Sequence, residues 1–148
     1  MPIPDFEPSG LLPLGLYDCS FEELKNRFGS FEQTDRRPWL FAKLEAFILA
    51  ARGSGFVCAL VVNGSFVTSK PSPNDIDLII VVAAEHDLRT NLSPSAYNVV
   101  SKKRVQKRFG FDRVAVREGT AELDDAIAFF QQVRGEPNLH KALLRLRL

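Results

Sequence analysis

The chain is short of sulfur and of net charge, and it has no long apolar run. Cys19 and Cys58 are its only cysteines, and no Cys-x-x-Cys occurs. With no secretion leader either, free thiols in a reducing cytosol are expected, with a single chance disulfide the alternative. A net charge of +1 gives no global field to draw in nucleic acid or an anionic membrane. No apolar run reaches the length of a membrane span, and the N-terminus carries prolines and acids rather than a basic–apolar leader. The expectation is a cytoplasmic protein with no membrane partner. Histidine is scarce too. His86 lies between acids, but no second histidine stands at ligand spacing, so it and His140 read as loop or structural residues.

What is present is ordinary for a soluble protein. Its 148 residues suit one domain with a real core. Residues 1–33 read as an arm and a short helix, and 34–148 as the core.

The informative stretch is 57–82. An apolar run ends on Asn63-Gly64-Ser65, and a second opens with Asp75-Ile76-Asp77. Short apolar runs bounded by turn signals read as buried strands. Alternation along a strand points Asp75 and Asp77 the same way and Ile76 into the core. At ~7 Å and an effective dielectric of about 20, two such carboxylates repel by about 2 kcal/mol. A divalent cation between them reverses the sign, and Mg²⁺ is often held by one or two carboxylates plus substrate phosphates. Gly64 lets backbone approach a ligand closely. Ser65 offers a hydroxyl and an N–H to a phosphate oxygen. The arrangement predicts a metal–triphosphate site.

Gly64-Ser65, nine residues, then Asp75-Ile76-Asp77-Leu78 resembles the signature of the nucleotidyltransferase superfamily, which includes polymerase-β-like enzymes and the small bacterial minimal nucleotidyltransferases. The signature covers about the middle fifth of the chain. More loosely, the whole chain resembles a bacterial branch of small single-domain members. Asn63 departs from the pattern, standing where many members carry a hydrophobic residue. The resemblance implies an NTP substrate and two Mg²⁺ ions at Asp75, Asp77 and a third carboxylate. It places that carboxylate at Asp112, with Glu118 the alternative. Gly64 and Ser65 hold the β- and γ-phosphates. Lys70, in the connecting loop, either neutralises phosphate or is a plain surface lysine. The implied activity moves a nucleoside monophosphate to a hydroxyl of a protein, RNA or small molecule, and similar small members often act in toxin–antitoxin pairs. The other reading is an inactive member serving as a protein- or nucleotide-binding module.

The flanks supply the scaffold. Met1 to Gly15, rich in proline, reads as an extended arm packed by Leu11, Leu12 and Leu14, or as a contact for a partner or a second copy. Ser20-Phe21-Glu22-Glu23 matches a capping box for a helix to Phe28. A second helix runs from about Thr34–Arg36 to Arg52-Gly53. Its stripe is Leu40, Leu44, Phe47 and Ile48, widened by Phe41 and Leu49. Trp39 is expected in the core, and Arg36 and Arg37 on a solvated helix start. A helix from Ser93-Pro94 through Arg108 carries Lys102, Lys103, Arg104, Lys107 and Arg108, a solvated face or a phosphate or RNA contact. A strand over 111–116 follows, then a helix capped by Thr120 that runs to about Arg134. A break at 135–138 precedes a final half-exposed strand of alternating leucines and arginines. Helices alternating with strands predict an α/β (α+β) domain, a mixed sheet with helices mainly on one side.

Overall fold

The two apolar runs pair as expected. In the computed structural model, which describes residues 3–30, 33–85, 94–133 and 135–148, β2 (Val57–Asn63) lies antiparallel to β3 (Asp77–Val82) with Asn63 opposite Asp77. Both strands are rich in β-branched residues and nearly fully buried, as strands covered on both faces must be. Around them stand β1 (Leu16–Cys19), β4 (Asp112–Arg117) and β7 (Leu143–Arg147), giving a five-stranded mixed sheet of order β1-β7-β2-β3-β4. β1–β7 and β3–β4 are parallel and the other pairs antiparallel. A separate hairpin joins β5 (Gln132–Val133) to β6 (Glu136–His140).

Strand parity divides the core. Leu60, Val62, Leu78, Ile80, Val82, Leu144 and Leu146 face α1 (Phe21–Phe28), α2 (Arg36–Ser54), α3 (Pro94–Val100) and α4 (Lys102–Phe109). Ala59, Val61, Ile79, Val81 and Leu143 face α5 (Ala121–Phe130), which packs through Leu123, Ala126, Ile127 and Phe130. The predicted α+β fold, with helices mainly on one side, is the observed one. Leu12, Leu24 and Phe28 join the same cluster as α2 and the sheet, so residue 33 is no packing boundary.

Local signals act where the sequence puts them. Ser20 and Glu23 form both bonds of the capping box. Ser101 caps α4 by accepting from the Arg104 N–H, and so divides the expected single helix over 94–108 into two. Other differences are larger. Directly after the expected arm, 16–19 is a sheet strand that the sequence reading did not assign. Its Asp18 carboxylate takes a bidentate bond from Arg145 of β7 at 2.6 and 2.9 Å. β7 is an interior strand, with Leu143, Leu144 and Leu146 buried. Leu12 is buried but Leu14 is 56% exposed. Trp39 is also outside the core, 50% exposed, with Arg36 and Lys43 each 4.5 Å from its ring centroid. Those cations stand at i−3 and i+4, the helical spacing for contact. His86 and Ser93 lie outside the described residues.

Arg36 and Arg37 are not solvent-facing charges. Arg37 is only 4% exposed. Its guanidinium donates to the carbonyl oxygens of Phe28, Phe66, Thr68 and Lys70, three of these bonds at 2.6–2.7 Å. It sits over the rings of Phe28 and Phe66. Arg36 holds the carbonyls of Pro73 and Asn74 at 2.9 and 2.7 Å. Together they fix the loop between Gly64-Ser65 and Asp75. Removing the buried fork leaves several carbonyls unsatisfied. Arg37→Met is therefore expected to lower unfolding free energy by about 3 kcal/mol. Arg37→Lys should recover less than half of the loss, because one ammonium cannot replace a planar fork. Urea denaturation checks both. A loss under about 1 kcal/mol for Arg37→Met would mean that the loop holds itself.

Candidate active site

At the Asn63 end of β2 the chain must turn sharply to bring Ser65 back against Asp75. Gly64 makes the turn at φ +95°, a conformation open to glycine and few others. A Cβ there would stand 2.9 Å from the Asp75 carbonyl oxygen, 3.2 Å from Asp75 Oδ1 and 3.2 Å from the Asp77 nitrogen. Space as well as torsion therefore requires glycine. A 3₁₀ turn over Ser65–Val67 follows, and the Phe66 N–H donates to the Asp75 carbonyl.

This geometry locks Ser65 to Asp75. Asp75 Oδ1 accepts from the Ser65 N–H at 2.9 Å and the Ser65 hydroxyl at 2.7 Å. The same hydroxyl oxygen accepts from the Asn74 and Asp75 N–H groups. The N–H and hydroxyl expected to meet a phosphate oxygen thus already hold an anionic oxygen, the chain's own. Asp75 precedes β3 rather than lying in it, and Ile76 is buried as expected.

These residues form the sheet end of a cleft of about 770 Å³. Asn63, Gly64, Ser65, Asp75 and Asp77 line one wall. Phe129 and Phe130 of α5, with Gln132, Val133, Gly135, His140 and Lys141, line the rest. Phe129 is 65% exposed and meets Phe130 edge to face at 5.3 Å. Lys141 is half-buried. Burial holds its pKa below the usual lysine value, against the opposing pull of the Asp77 and Asp75 charges, and all three line the same cleft. Asn63 is 2% exposed, and its Oδ1 has no hydrogen-bond partner.

The other expected site residues divide. Asp112 is the register partner of Asp77 on the neighbouring parallel strand. Parity puts it on the α5 face with Asp77 and Asn63. Its carboxylate, however, does not line the cleft. It takes the Arg113 N–H and lies 3.8 Å from Lys102 Nζ, both side chains about two-thirds exposed. Among the described residues, no three of His, Cys, Asp and Glu converge on one metal-sized point. Glu118 lies at the far end of the sheet, about five strand residues or roughly 17 Å from Asp77. It lies beside Cys58 and Arg147, which removes it as the alternative third carboxylate. Lys70 is exposed and outside the cleft wall; Arg37 holds its carbonyl. The basic residues of α4 are solvent-exposed.

Lys141, Asn63 and Phe129 of the cleft wall escaped the sequence reading as site residues. Lys141 is a single lysine far along the chain from the acidic pair, with no motif around it. Asn63 carried a faint signal, a polar residue closing an otherwise apolar strand.

An α+β sheet protein with an acidic cleft at one sheet end is the class that fold and site define. Residues 4–147 match the family described as Family of unknown function (DUF6932), and the chain belongs to it. Searches of curated proteins and of solved structures return no match. Among the described residues no helix is long and apolar enough to cross a membrane.

The turn gives an ordered prediction. Gly64→Ala forces both a strained torsion and a backbone contact, and should cost about 3 kcal/mol. Ser65→Ala removes only partly exposed hydrogen bonds and should cost about 1 kcal/mol. Thermal melts of the two variants check the order; equal losses would mean that the turn tolerates a Cβ.

Proposed function

We propose that the chain is a Mg²⁺-dependent nucleotidyltransferase. It would move a nucleoside monophosphate from an NTP to a hydroxyl of a protein, RNA or small molecule. The observation that carries this is the folded Gly64–Ser65 turn seated against Asp75 and Asp77 at the wall of a nucleotide-sized cleft. The donor set fits a hard cation at the acidic pair, since it is made of oxygens. A second ion needs Asp112 to turn from Lys102. That exposed ion pair is worth well under about 1 kcal/mol, so it is no obstacle. Mg²⁺, when bound there, supplies charge neutralisation for the triphosphate.

The chain's own groups do the rest. Phosphate oxygens take the place of Asp75 Oδ1 on the Ser65 N–H and hydroxyl, which frees Asp75 to face the cation. Lys141 adds positive charge near the phosphates, the part first expected of Lys70. Phe129 offers its face to the base, because aromatic faces stack on bases without sequence preference. The acceptor hydroxyl oxygen then bonds to the α-phosphorus. The bond from that phosphorus to the pyrophosphate oxygen breaks, pyrophosphate leaves with its electron pair, and the hydroxyl proton passes to solvent. The reading places the protein in the cytoplasm, where NTPs are plentiful, and is compatible with a toxin–antitoxin role in which the acceptor is a partner protein.

One observation favours the second reading, an inactive binding module. Lys141 shares the cleft with both aspartates, and Ser65 is already bonded to Asp75, so part of the site's negative charge is offset by the chain itself. The two readings part on Asp77→Asn. For the enzyme it lowers pyrophosphate release by on the order of a hundredfold or more, as with loss of other preorganised electrostatic groups, while the melting temperature stays near wild type. If wild type shows no Mg²⁺-dependent NTP binding by calorimetry, the enzyme reading fails and the module reading stands.

A further inference from the structure

The register places three oxygen-bearing side chains in a row on one sheet face: Asp112 on β4, Asp77 on β3 and Asn63 on β2. Asp77 is the middle one. Directly opposed residues on antiparallel strands hold their Cβ atoms ~4.5–5.5 Å apart, so Asn63 is as close a neighbour of Asp77 as Asp112 is. The cleft opens on the Asn63 side. Asn63, Asp75 and Asp77 line it, and Asp112 does not.

We infer that Asn63 Oδ1 is the third protein ligand of the cation held by Asp75 and Asp77, the place that the family resemblance gives to Asp112. This rests on the Mg²⁺-dependent reading above and goes one step past it. Buried polar atoms are almost always hydrogen-bonded, and an exception calls for a cause. Asn63 is nine-tenths buried and more, yet its Oδ1 accepts from nothing. A donor is near, since the Lys141 ammonium lies in the same cleft, and it does not bond there. Its register partner on β3 is Asp77, a carboxylate that cannot donate when ionised. A neutral carbonyl oxygen among carboxylates is what Mg²⁺ and Ca²⁺ sites use. Asp112, by contrast, already takes the Arg113 N–H and lies near Lys102.

Mn²⁺ serves as the probe, followed by electron paramagnetic resonance on the full chain with and without inorganic tripolyphosphate. Asn63→Leu should weaken Mn²⁺ binding about tenfold or more, and Asp112→Asn by less than about threefold. Without metal, Asn63→Leu should melt at or above the wild-type temperature, because an apolar side chain replaces an unsatisfied carbonyl. If Asn63→Leu fails to fold, Asn63→Asp should instead tighten Mn²⁺ by adding charge. Unchanged Mn²⁺ affinity in Asn63→Leu, or in Asn63→Asp where that variant is needed, would overturn the inference, and most clearly if Asp112→Asn weakens it. Binding lost in Asp77→Asn but intact in Asn63→Leu removes this inference alone. A wild-type protein that binds no Mn²⁺ even with tripolyphosphate removes the enzyme reading along with it.

Discussion

The buried guanidinium of Arg37 is the contact on which the site depends. Nine residues separate Ser65 from Asp75, and ordering a loop of that length costs on the order of 10 kcal/mol of backbone entropy. Burial of Phe66, Val67 and Ile76 offsets part of it, at about 2 kcal/mol for each side chain. Arg37 contributes what apolar burial cannot, satisfaction of the carbonyls of Phe66, Thr68 and Lys70 that a buried loop would otherwise leave unpaired. An arginine suits this place because its five donors fan out in one plane, while its flat face lies against Phe28 and Phe66. α2 therefore both covers the sheet and sets the spacing between the two halves of the site.

Electrostatics at the cleft follow from that placement. The acidic pair would repel by about 2 kcal/mol in isolation. In the folded chain the repulsion is relieved twice. Ser65 donates two hydrogen bonds to Asp75, and the Lys141 charge in the same cleft acts on both carboxylates. Such relief stabilises the site by the chain's own groups. It also sets a condition on any ligand, because a cation that enters must do better than an ammonium and a phosphate must do better than a carboxylate. Under the proposed function a Mg²⁺–triphosphate would meet both conditions at once, each half in place of one internal partner.

Local patterns made part of this legible from sequence. Gly64-Ser65 was readable because its meaning is short-range, a turn that needs glycine; in Asp75-Ile76-Asp77 the buried Ile76 was readable, while the strand itself begins only at Asp77. The capping box at Ser20 and the cap at Thr120 are readable for the same reason. Arg37 was not, because a charge at a helix start looks the same whether water or loop carbonyls surround it. Trp39 failed through periodicity, since it borders the buried stripe and its partners Arg36 and Lys43 decide its side. β1 was missed because it has only four residues, between the arm and the capping box, and its partner, β7, lies at the other end of the chain. Lys141 failed for a like reason: only the closed sheet carries the start of β7 to the cleft.

Asn63 joins these themes. On its own it weakens an apolar strand, and a packed core would prefer an apolar side chain there. Burying an amide oxygen without a donor costs about 1–3 kcal/mol. The fold tolerates that cost next to Asp77, at the cleft wall, while the rest of β2 is apolar apart from Cys58. Sequence rules fail most often where function imposes a local exception. Here the exception, the glycine-only turn and the acidic pair all occur within one strand end and its return. Loop carbonyls clamped from α2 hold that return in place. The physical features that cost stability are thus gathered around the cleft, and the features that restore it lie behind them, in the arginine clamp and the apolar sheet.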